Sequence, residues 1–305
     1  MKPRILVIGS SNTDMIAKVP RLPRPGETIL GGQFTTAAGG KGANQAVAAA
    51  RAGGEVCFIG CVGSDVFGDH AIGGFVREGI NLNYLRRKRA PSGVALIFVA
   101  ADGQNSIAVA PGANAQLLPA DLKRAPSAFH DADVLLLQLE TPLPTVTAAI
   151  KQAAKADLPV ILNPAPAQPL SDELLRSLTI LTPNETEAEM LTGVKVSNEA
   201  GAKRAAQGLH RRGVKSVIIT LGARGALLSS EGRQELLPAP RSKAVDTTAA
   251  GDVFNGALAV GLAERLGLRA AVQFANAAAA LSVTRLGAQP SAPKRKEIER
   301  QLRQV

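Results

Sequence analysis

A single carboxylate, Asp252, follows three of the smallest residues, Ala249, Ala250 and Gly251, and precedes the largely apolar run VFNGALAVGL. If a helix begins near Gly251, its first N–H groups lack intrahelical acceptors and form an anion site that the small side chains leave open. A carboxylate there suits a base that takes a proton from a hydroxyl attacking phosphorus, while the N–H groups stabilise the transferred oxygens. The alternative is that Asp252 only favours the positive end of the helix dipole.

Other polar side chains follow predicted strands, at the edge where open α/β sheets bind ligands. In GSSNTD, Asn12 and Asp14 are two residues apart, so an extended chain points both to one face, where they can bind adjacent hydroxyls of a polyol. An Asx turn explains the same two residues. The run LLLQLE ends at Glu140, an acid that needs solvent or a polar partner at the end of a buried strand.

The glycine-rich segment AAGGKGANQ precedes a predicted helix. Gly40 and its neighbouring glycines let a ligand approach the backbone, and Lys41 and Asn44 share one helix face. The segment matches neither the GxxxxGK[ST] phosphate loop nor the GxGxxG motif, which argues against a dinucleotide-binding dehydrogenase. Simple packing of a turn against a helix is the alternative.

Two further motifs have both structural and functional interpretations. In TPNETEAEML, Asn184 and Glu187 have the spacing of a helix N-cap and its N3 acid, so a capping box explains them. The functional alternative is that Glu187 holds water or magnesium. In TLGARG, which contains Thr220, Gly222 and Gly225, a strand ends in a turn that is either a hairpin turn or the floor for a flat base.

Continuous apolar runs predict strands that are covered on both faces, at residues 4–9, 55–63, 133–140, 158–163, 178–184 and 216–222. The stretches KGANQAVAAARAGG, LPTVTAAIKQAAKA and EAGAKRAAQGLHRRG have helix-forming composition. This alternation predicts an α/β fold with a doubly wound, mostly parallel sheet flanked by helices.

Residues from about 14 to 37 and from about 89 to 110 interrupt that alternation and predict short strands, the second segment being a hairpin around ADGQ. We expect them to form a small inserted β-sheet that acts as a lid on a single domain of 305 residues.

The chain has a net charge of +10, but its basic residues are scattered apart from clusters at 86–89 and 293–300, and few aromatic residues accompany them. We therefore expect no nucleic-acid partner and a solvated basic surface that attracts phosphorylated metabolites. No apolar run reaches the roughly 18 residues that cross a bilayer, and no secretory signal follows Met1. We expect no membrane partner and a cytoplasmic location, where Cys57 and Cys61 are buried free thiols.

The segments AGGKGANQAVAAARAGG and DTTAAGDVFNGAL resemble the two signature regions of the ribokinase (PfkB-type) family of sugar kinases. The resemblance continues in order through GSSNTD, SGVALIFV, LQLETPL, LNPAPAQPL, TPNETEAEMLTG, ITLGARG and VTRLGAQPS, so it covers nearly the whole chain. It implies ATP-dependent phosphorylation of the 5-hydroxyl of D-ribose to D-ribose 5-phosphate. A family kinase for 2-deoxyribose, another sugar or a nucleoside is the alternative. A non-catalytic sugar sensor would predict a damaged catalytic set, whereas Asp252 is retained.

The resemblance also implies roles for individual residues. The sugar contacts are Asn12, Asp14, Gly40, Lys41, Asn44 and Glu140, the catalytic base is Asp252, and the anion hole is Ala249, Ala250 and Gly251. The ATP site includes Asn184, Glu187, Thr220, Gly222, Gly225, Gly251 and Asn276, and Glu187 is tied through water to the Mg²⁺ that accompanies ATP. An activating monovalent cation, usually K⁺, matches Asp246, Thr248, Ser282, Arg285, Gly287 and Ser291.

Two other implications concern the branch of the family and the assembly. Many members have glycine where this chain has Ala249, and we interpret alanine there as typical of the ribokinase branch, with the anion hole intact. The resemblance further implies a homodimer that pairs through the lid.

Overall fold

Helices and strands alternate through most of the chain, and the computed structural model describes residues 2–303. In chain order the strands are β1 (Arg4–Ile8), β2 (Asn12–Val19), β3 (Gln33–Gly39), β4 (Glu55–Ile59), β5 (Cys61–Gly63), β6 (Arg86–Lys88), β7 (Gly93–Ala100), β8 (Asn105–Ala110), β9 (Val134–Leu137), β10 (Val160–Leu162), β11 (Ile180–Leu181), β12 (Ser216–Thr220), β13 (Ala226–Ser230) and β14 (Arg233–Leu237). The helices are α1 (Lys41–Arg51), α2 (Val66–Arg77), α3 (Pro119–Leu122), α4 (Pro126–Asp131), α5 (Leu143–Lys155), α6 (Asp172–Arg176), α7 (Glu185–Thr192), α8 (Glu199–Arg211), α9 (Ala250–Ala263), α10 (Leu268–Ser282) and α11 (Arg295–Leu302).

The larger sheet has the strand order β14-β13-β12-β11-β10-β9-β1-β4 in the part of the chain that the structure describes. Neighbouring strands from β4 to β12 are parallel, and β13 and β14 add an antiparallel edge. In β1, Leu6 and Ile8 belong to the core cluster that includes residues of α5 and α8, whereas Ile5 and Val7 belong to the cluster that includes residues of α1, α9 and α10. Helices therefore cover both faces, which explains the continuous apolar runs and confirms the predicted fold class.

A second sheet with the order β3-β2-β7-β8 contains the two segments that interrupt the alternation. Strands β2 and β7 are parallel, and the pairs β2–β3 and β7–β8 are antiparallel, so the predicted hairpin around ADGQ is present. Asn12, the first residue of β2, pairs with both Gly39 and Gly93. The small sheet therefore starts just beyond the end of β1, beside the predicted sugar contacts.

All six predicted strands are shorter in the structure, and 178–184 is a strand only over Ile180–Leu181. Two further differences concern the neighbourhood of the site. The run 55–63 is divided at Gly60, where the Gly9 N–H donates to the Ile59 carbonyl (3.1 Å) and a Cβ on Gly60 would lie 2.8 Å from the Gly9 oxygen. The second part, β5, pairs with β6 in a separate sheet. The run 133–140 is a strand only over Val134–Leu137, so Glu140 lies three residues beyond its end.

The two cysteines lie on either side of the break at Gly60, and both are free thiols. Cys61 is buried as predicted, whereas Cys57 is only partly buried. Burial raises the pKa of Cys57 to about 11 and that of Cys61 to about 12, so both stay protonated and unreactive at neutral pH. Within residues 2–303, no helix combines the length and hydrophobicity that crossing a membrane requires.

Candidate active site

Helix α9 begins at Ala250, and the preceding residue, Ala249, has a left-handed backbone (φ 58°, ψ 14°). The N–H groups of Ala249 and Gly251 donate no hydrogen bond to any residue in the described range 2–303. The predicted set is corrected at Ala250, whose N–H donates to the Thr247 carbonyl (3.2 Å) because the chain turns there into the helix. Within the predicted set, the amides open to an anion are therefore those of Ala249 and Gly251.

Asp252 is buried in the first turn of α9, and both of its carboxylate oxygens accept hydrogen bonds from α1. Asn44 Nδ2 donates to Oδ2 (3.0 Å), and Gln45 Nε2 donates to Oδ1 (3.0 Å). Burial raises the pKa of Asp252, while Lys41 and the two amide donors oppose the rise. A fixed carboxylate with increased basicity suits a general base.

Asn12 and Asp14 lie on one face of β2, as their spacing predicts. Asn12 Oδ1 accepts a hydrogen bond from Asn114 Nδ2 (2.7 Å), which leaves the Asn12 Nδ2 available to donate. The Asp14 carboxylate accepts no hydrogen bond from the described part of the chain, and only burial and neighbouring charges act on it. Burial, together with the charges of Glu140 and Asp252, raises the pKa of Asp14 to about 6.

Glu140 lies against the start of α1. Its Oε2 accepts hydrogen bonds from Ser10 Oγ (2.5 Å) and from the Lys41 N–H (2.9 Å), which are the polar partners that the sequence required. A carboxylate at a helix N-terminus is also favoured by the helix dipole. Gly40, the N-cap of α1, has a φ of 87°, a conformation that favours glycine.

The Lys41 side chain is surrounded by the carboxylates of Asp14, Glu140, Glu187 and Asp252. Burial disfavours its charge, but these four groups outweigh burial and raise the pKa of Lys41. We call Asp14, Glu140, Asp252 and Lys41 the acidic cluster. Beside it, Asn44 Oδ1 is buried without a hydrogen-bond partner in the described residues, an arrangement that costs free energy until a donor binds.

A cavity of about 710 Å³, within the usual range for small-molecule sites, borders the start of α9. The predicted ATP-site residues that line it are Asn184, Thr220, Gly222, Gly225, Gly251 and Asn276. Apolar residues such as Phe254 and Val283 complete its wall. The structure therefore brings six predicted residues from four parts of the chain to one cavity.

The TLGARG segment forms the hairpin turn between β12 and β13, which is the first of its two interpretations, and it also lines the cavity. Gly222 (φ 57°) and Gly225 (φ 97°) have positive φ angles, and a Cβ on Gly225 would collide with the backbone of residues 237–239. Asn276 is buried and donates from Nδ2 to the Leu237 carbonyl (2.9 Å), so it joins α10 to the end of β14.

Glu187 is the predicted ATP-site residue that does not line the cavity. It forms the capping box of α7: Asn184 Oδ1 accepts from the Glu187 N–H (2.8 Å), and Glu187 Oε2 accepts from the Asn184 N–H (2.9 Å). Burial raises the pKa of Glu187, against the effects of Asn184 and Lys41. The structural interpretation is thus present, and the carboxylate still lies within electrostatic reach of the acidic cluster.

Asp246 joins two loops that carry the residues predicted for a monovalent cation. Its Oδ1 accepts from the Thr248 N–H (2.9 Å), and its Oδ2 accepts from the Gly287 N–H (2.8 Å). Burial opposes ionisation, but these hydrogen bonds prevail and lower the pKa of Asp246. Of the remaining predicted residues, Ser282 accepts from the Arg285 N–H through its carbonyl (3.0 Å), and Ser291 is buried in the same loop as Gly287. An ionised carboxylate and backbone carbonyls are hard oxygen ligands.

Sequence reasoning missed a group of buried polar residues behind Asp252: Gln45, Gln138, Asn163, Thr182 and Asn255. It also missed Asn114, which fixes Asn12, and Ser10, which binds Glu140. A signal was available, because Gln138, Asn163 and Thr182 are polar residues within or at the end of apolar runs. Such residues need partners when buried.

The comparison with known proteins identifies the family. The sequence matches the pfkB family carbohydrate kinases over residues 2–295. The chain belongs to this family. A Haemophilus influenzae protein named ribokinase is 46% identical over 97% of each chain. A Salmonella typhimurium protein named deoxyribokinase is 40% identical to this pfkB-family chain over 95% of each.

The solved structure of Arabidopsis thaliana ribokinase complexed with ribose and ATP has the same fold as this pfkB-family chain. Its TM-score is 0.92 at 37% identity, and the match covers 99% of each chain. The family resemblance, the ribokinase-like fold and the assignment as a kinase are thereby confirmed.

Proposed function

We propose that this chain transfers the γ-phosphoryl group of ATP to the 5-hydroxyl of D-ribose, giving D-ribose 5-phosphate. The observation that carries the proposal is the position of the α9 N-terminus. The Asp252 side chain bonds to α1 on one side, while Ala250 and Gly251 line the cavity on the other. A base and a nucleotide-sized cavity thus meet at one set of open amides, as phosphoryl transfer requires. The ribokinases at 46% and 37% identity support ribose as the substrate.

In the proposed reaction, Asp252 accepts the proton of the 5-hydroxyl as that oxygen bonds to the γ-phosphorus. The bond from the γ-phosphorus to the bridging oxygen breaks, and ADP leaves with the electron pair. The Ala249 and Gly251 N–H groups stabilise the charge on the transferred oxygens. The sugar is held by Asn12, Asp14, Gly40, Lys41, Asn44 and Glu140, which orient the reacting hydroxyl.

Magnesium would accompany ATP and neutralise phosphate charge. Glu187 is the residue that would hold it, through water, because its buried carboxylate lies within electrostatic reach of Lys41 and Asp252. The described residues 2–303 contain no cluster of three His, Cys, Asp or Glu side chains with metal-site geometry. This fits a cation held mainly by phosphates, the usual arrangement for magnesium with nucleotides.

A monovalent cation such as K⁺ would be held by Asp246, Thr248, Ser282, Arg285, Gly287 and Ser291, several of them through backbone carbonyls. The ionised Asp246 and the carbonyl-rich loops suit a hard cation. Since Asp246 lies three residues before Ala249, such a cation would order the loop that carries the open amides.

We also propose that the small sheet acts as a lid and that two copies of the chain pair through it. Its exposed apolar side chains support this, because such patches mark interaction surfaces: Phe34, Leu96, Phe98, Ile107 and Val109. Light scattering should find a dimer that Phe98→Asp disrupts and that Val76→Asp, at an exposed position in α2, leaves intact. A wild-type monomer would contradict the pairing.

We place the enzyme in the cytoplasm, where ATP is available and its cysteines stay reduced.

A kinase for 2-deoxyribose is the second candidate, favoured by the relative named deoxyribokinase. Asn12 argues for ribose. Its Oδ1 already accepts from Asn114, so its Nδ2 is left to donate to a sugar hydroxyl. A sugar that lacks that hydroxyl would leave the amide unpaired, which sites built for a hydroxyl reject strongly.

The test is ADP release with ATP, magnesium and ribose, 2-deoxyribose, fructose or adenosine, with and without K⁺. We expect ribose-dependent turnover that K⁺ raises and that Asp252→Asn lowers by about a thousandfold. Asp131→Asn, at the exposed end of α4, is the matched control and should retain activity. A higher kcat/KM for 2-deoxyribose would select the second candidate, and no turnover with any acceptor would refute the kinase activity.

A further inference from the structure

A chain of three buried amides lies behind the carboxylate of Asp252, and we call Gln138, Gln45 and Asn163 the amide chain. Gln138 Nε2 donates to Gln45 Oε1 (2.6 Å). Gln45 Nε2 donates both to Asn163 Oδ1 (3.1 Å) and to Asp252 Oδ1 (3.0 Å). All three amides are buried, and Gln45 is 0% exposed. A single side chain, Gln45, thus links the carboxylate to the interior of the protein.

The partners of Gln45 determine which way its amide faces. Its Oε1 receives the hydrogen bond from Gln138, so its Nε2 must face Asp252, whose ionised oxygen can only accept. A flipped amide would place an oxygen against the carboxylate and an NH₂ group against another NH₂ group. Gln138 follows β9 and Asn163 follows β10, so two strands and α1 together fix this orientation. Apart from Gln138 Oε1, which has no hydrogen-bond partner in the described residues, the polar side-chain atoms of the amide chain are paired, and paired buried networks are rigid.

Hydrogen bonds also lead from the amide chain to Gly251, the residue that carries one of the open N–H groups of α9. Asn163 Nδ2 donates to the Thr182 carbonyl (3.1 Å), and Thr182 Oγ1 donates to Asn255 Oδ1 (2.6 Å). Asn255 Nδ2 then donates to the Gly251 carbonyl (2.8 Å). The carboxylate of Asp252 and the carbonyl of Gly251 are therefore linked by one series of hydrogen bonds, all of them buried except the last, which is partly buried.

The two oxygens of Asp252 have different surroundings. Oδ1 bonds to Gln45 and through it to the interior. Oδ2 bonds to Asn44, whose own Oδ1 is buried without a partner in the described residues. Oδ2 is therefore the oxygen on the side where a substrate hydroxyl would bind.

We propose that Gln45 is a positioning residue that holds Oδ1 of Asp252, so that Oδ2 faces the sugar hydroxyl beside the amides of α9. The amide chain keeps Gln45 from flipping. This inference rests on the proposed function, because it takes Asp252 as the base.

The test compares Gln45→Glu and Gln45→Met with the wild-type enzyme in kcat, in KM for ribose and ATP, and in the pH dependence of kcat. Gln45→Met should lower kcat at least about tenfold with little change in either KM, since it disturbs the base rather than binding. Gln45→Glu should move the acidic limb of the pH profile upward by about one pH unit or more, because two carboxylates then compete for one proton.

Two features of the experiment allow a shift in the pH profile to be assigned to residue 45. The charged groups near Asp252 are Lys41 on α1, Glu140 after β9, Asp14 on β2 and Glu187 on α7, and all of them remain in both variants. Thr145→Val is the matched control, since it removes a buried hydroxyl that donates to the Leu117 carbonyl (2.6 Å) from α5. It should lower stability without changing kcat or the pH profile.

The proposal would be overturned if Gln45→Glu left the acidic limb of the pH profile unchanged and Gln45→Met lowered kcat no more than Thr145→Val does. If the Gln45 variants do not fold, Gln138→Met removes only the donor behind Gln45, and kcat should fall about threefold or more at constant KM. An unchanged kcat in Gln138→Met would then refute it. Failure of the proposed function is separate, because it appears as full turnover in Asp252→Asn or none in the wild-type enzyme.

Discussion

Asp14→Asn should make the folded chain more stable at alkaline pH while it weakens sugar binding. The pKa of the Asp14 carboxyl is raised from 3.8 to about 6, first by burial and then by the charges of Glu140 and Asp252, with Lys41 opposing. The unfolded chain therefore loses this proton more readily than the folded chain. The proton on Asp14 therefore stabilises the folded chain relative to the unfolded chain. This contribution is complete below pH 3.8 and is lost as the pH rises through about 6.

The magnitude follows from that difference. About 6 minus 3.8 is roughly 2.2 pH units, and at about 1.36 kcal/mol for each the ionised carboxylate costs about 3 kcal/mol above pH 7. Because Asp14 is only partly buried, solvent screens part of this cost, and we expect a gain of about 2 kcal/mol for Asp14→Asn at pH 8. At pH 4 the gain should be close to zero, since the wild-type carboxyl is then protonated in the folded chain.

The assay is urea unfolding without ligands at pH 4 and pH 8, followed by circular dichroism. Asp131→Asn is the control, because this residue is exposed and should give the same small difference at both values. A gain for Asp14→Asn that is equal at both pH values, or a loss of stability at pH 8, would refute the electrostatic reasoning. In the same variant kcat/KM for ribose should fall by about 10- to 100-fold, as expected when a charged hydrogen bond is lost.

Substitutions at three other positions test separate parts of the site. Gly42→Ala should lower the free energy of unfolding by about 2 kcal/mol or more in urea titrations, because its Cβ would lie 2.5 Å from the Ser10 nitrogen and 2.7 Å from the Gly9 Cα. Ala249→Val should lower kcat about tenfold or more in the ADP-release assay, since a β-branched residue resists the left-handed turn, whereas Ala249→Gly should stay active. Glu187→Gln should keep the melting temperature within about 2 °C, because glutamine also serves in capping boxes, but should raise the magnesium concentration needed for half-maximal turnover.

Features that depend on local periodicity were predictable from the sequence. Continuous apolar runs are typical of strands covered on both faces, and β1 has this character in the structure. The two-residue spacing of Asn12 and Asp14 places them on one face for the same local reason. The break at Gly60 was not predictable, because it depends on the approach of Gly9, which is 51 residues away in the chain.

The candidate site divides in the same way. The open amides and Asp252 were predictable from the residues that start one helix. The amide chain was not, because its hydrogen bonds join residues 93, 118 and 207 positions apart, from Gln45 to Gln138, Asn163 and Asp252. Spacing rules within α1 relate Gln45 only to its helical neighbours, so its part in the site required the tertiary structure.

The charge balance around Lys41 explains independently why the site should need cations. Asp14, Glu140, Glu187 and Asp252 surround one lysine, so four carboxylates face a single positive charge. Burial, which is the first cause of the raised pKa values of Asp14, Glu187 and Asp252, makes negative charge at this site still more costly. A nucleotide phosphate brought to the adjacent amides of α9 meets this field at close range, where water screens little. Two open N–H groups carry only partial positive charges, so they cannot offset it alone. The dependence on magnesium that we propose is therefore expected from the charges of the site itself, as well as from the family to which the chain belongs.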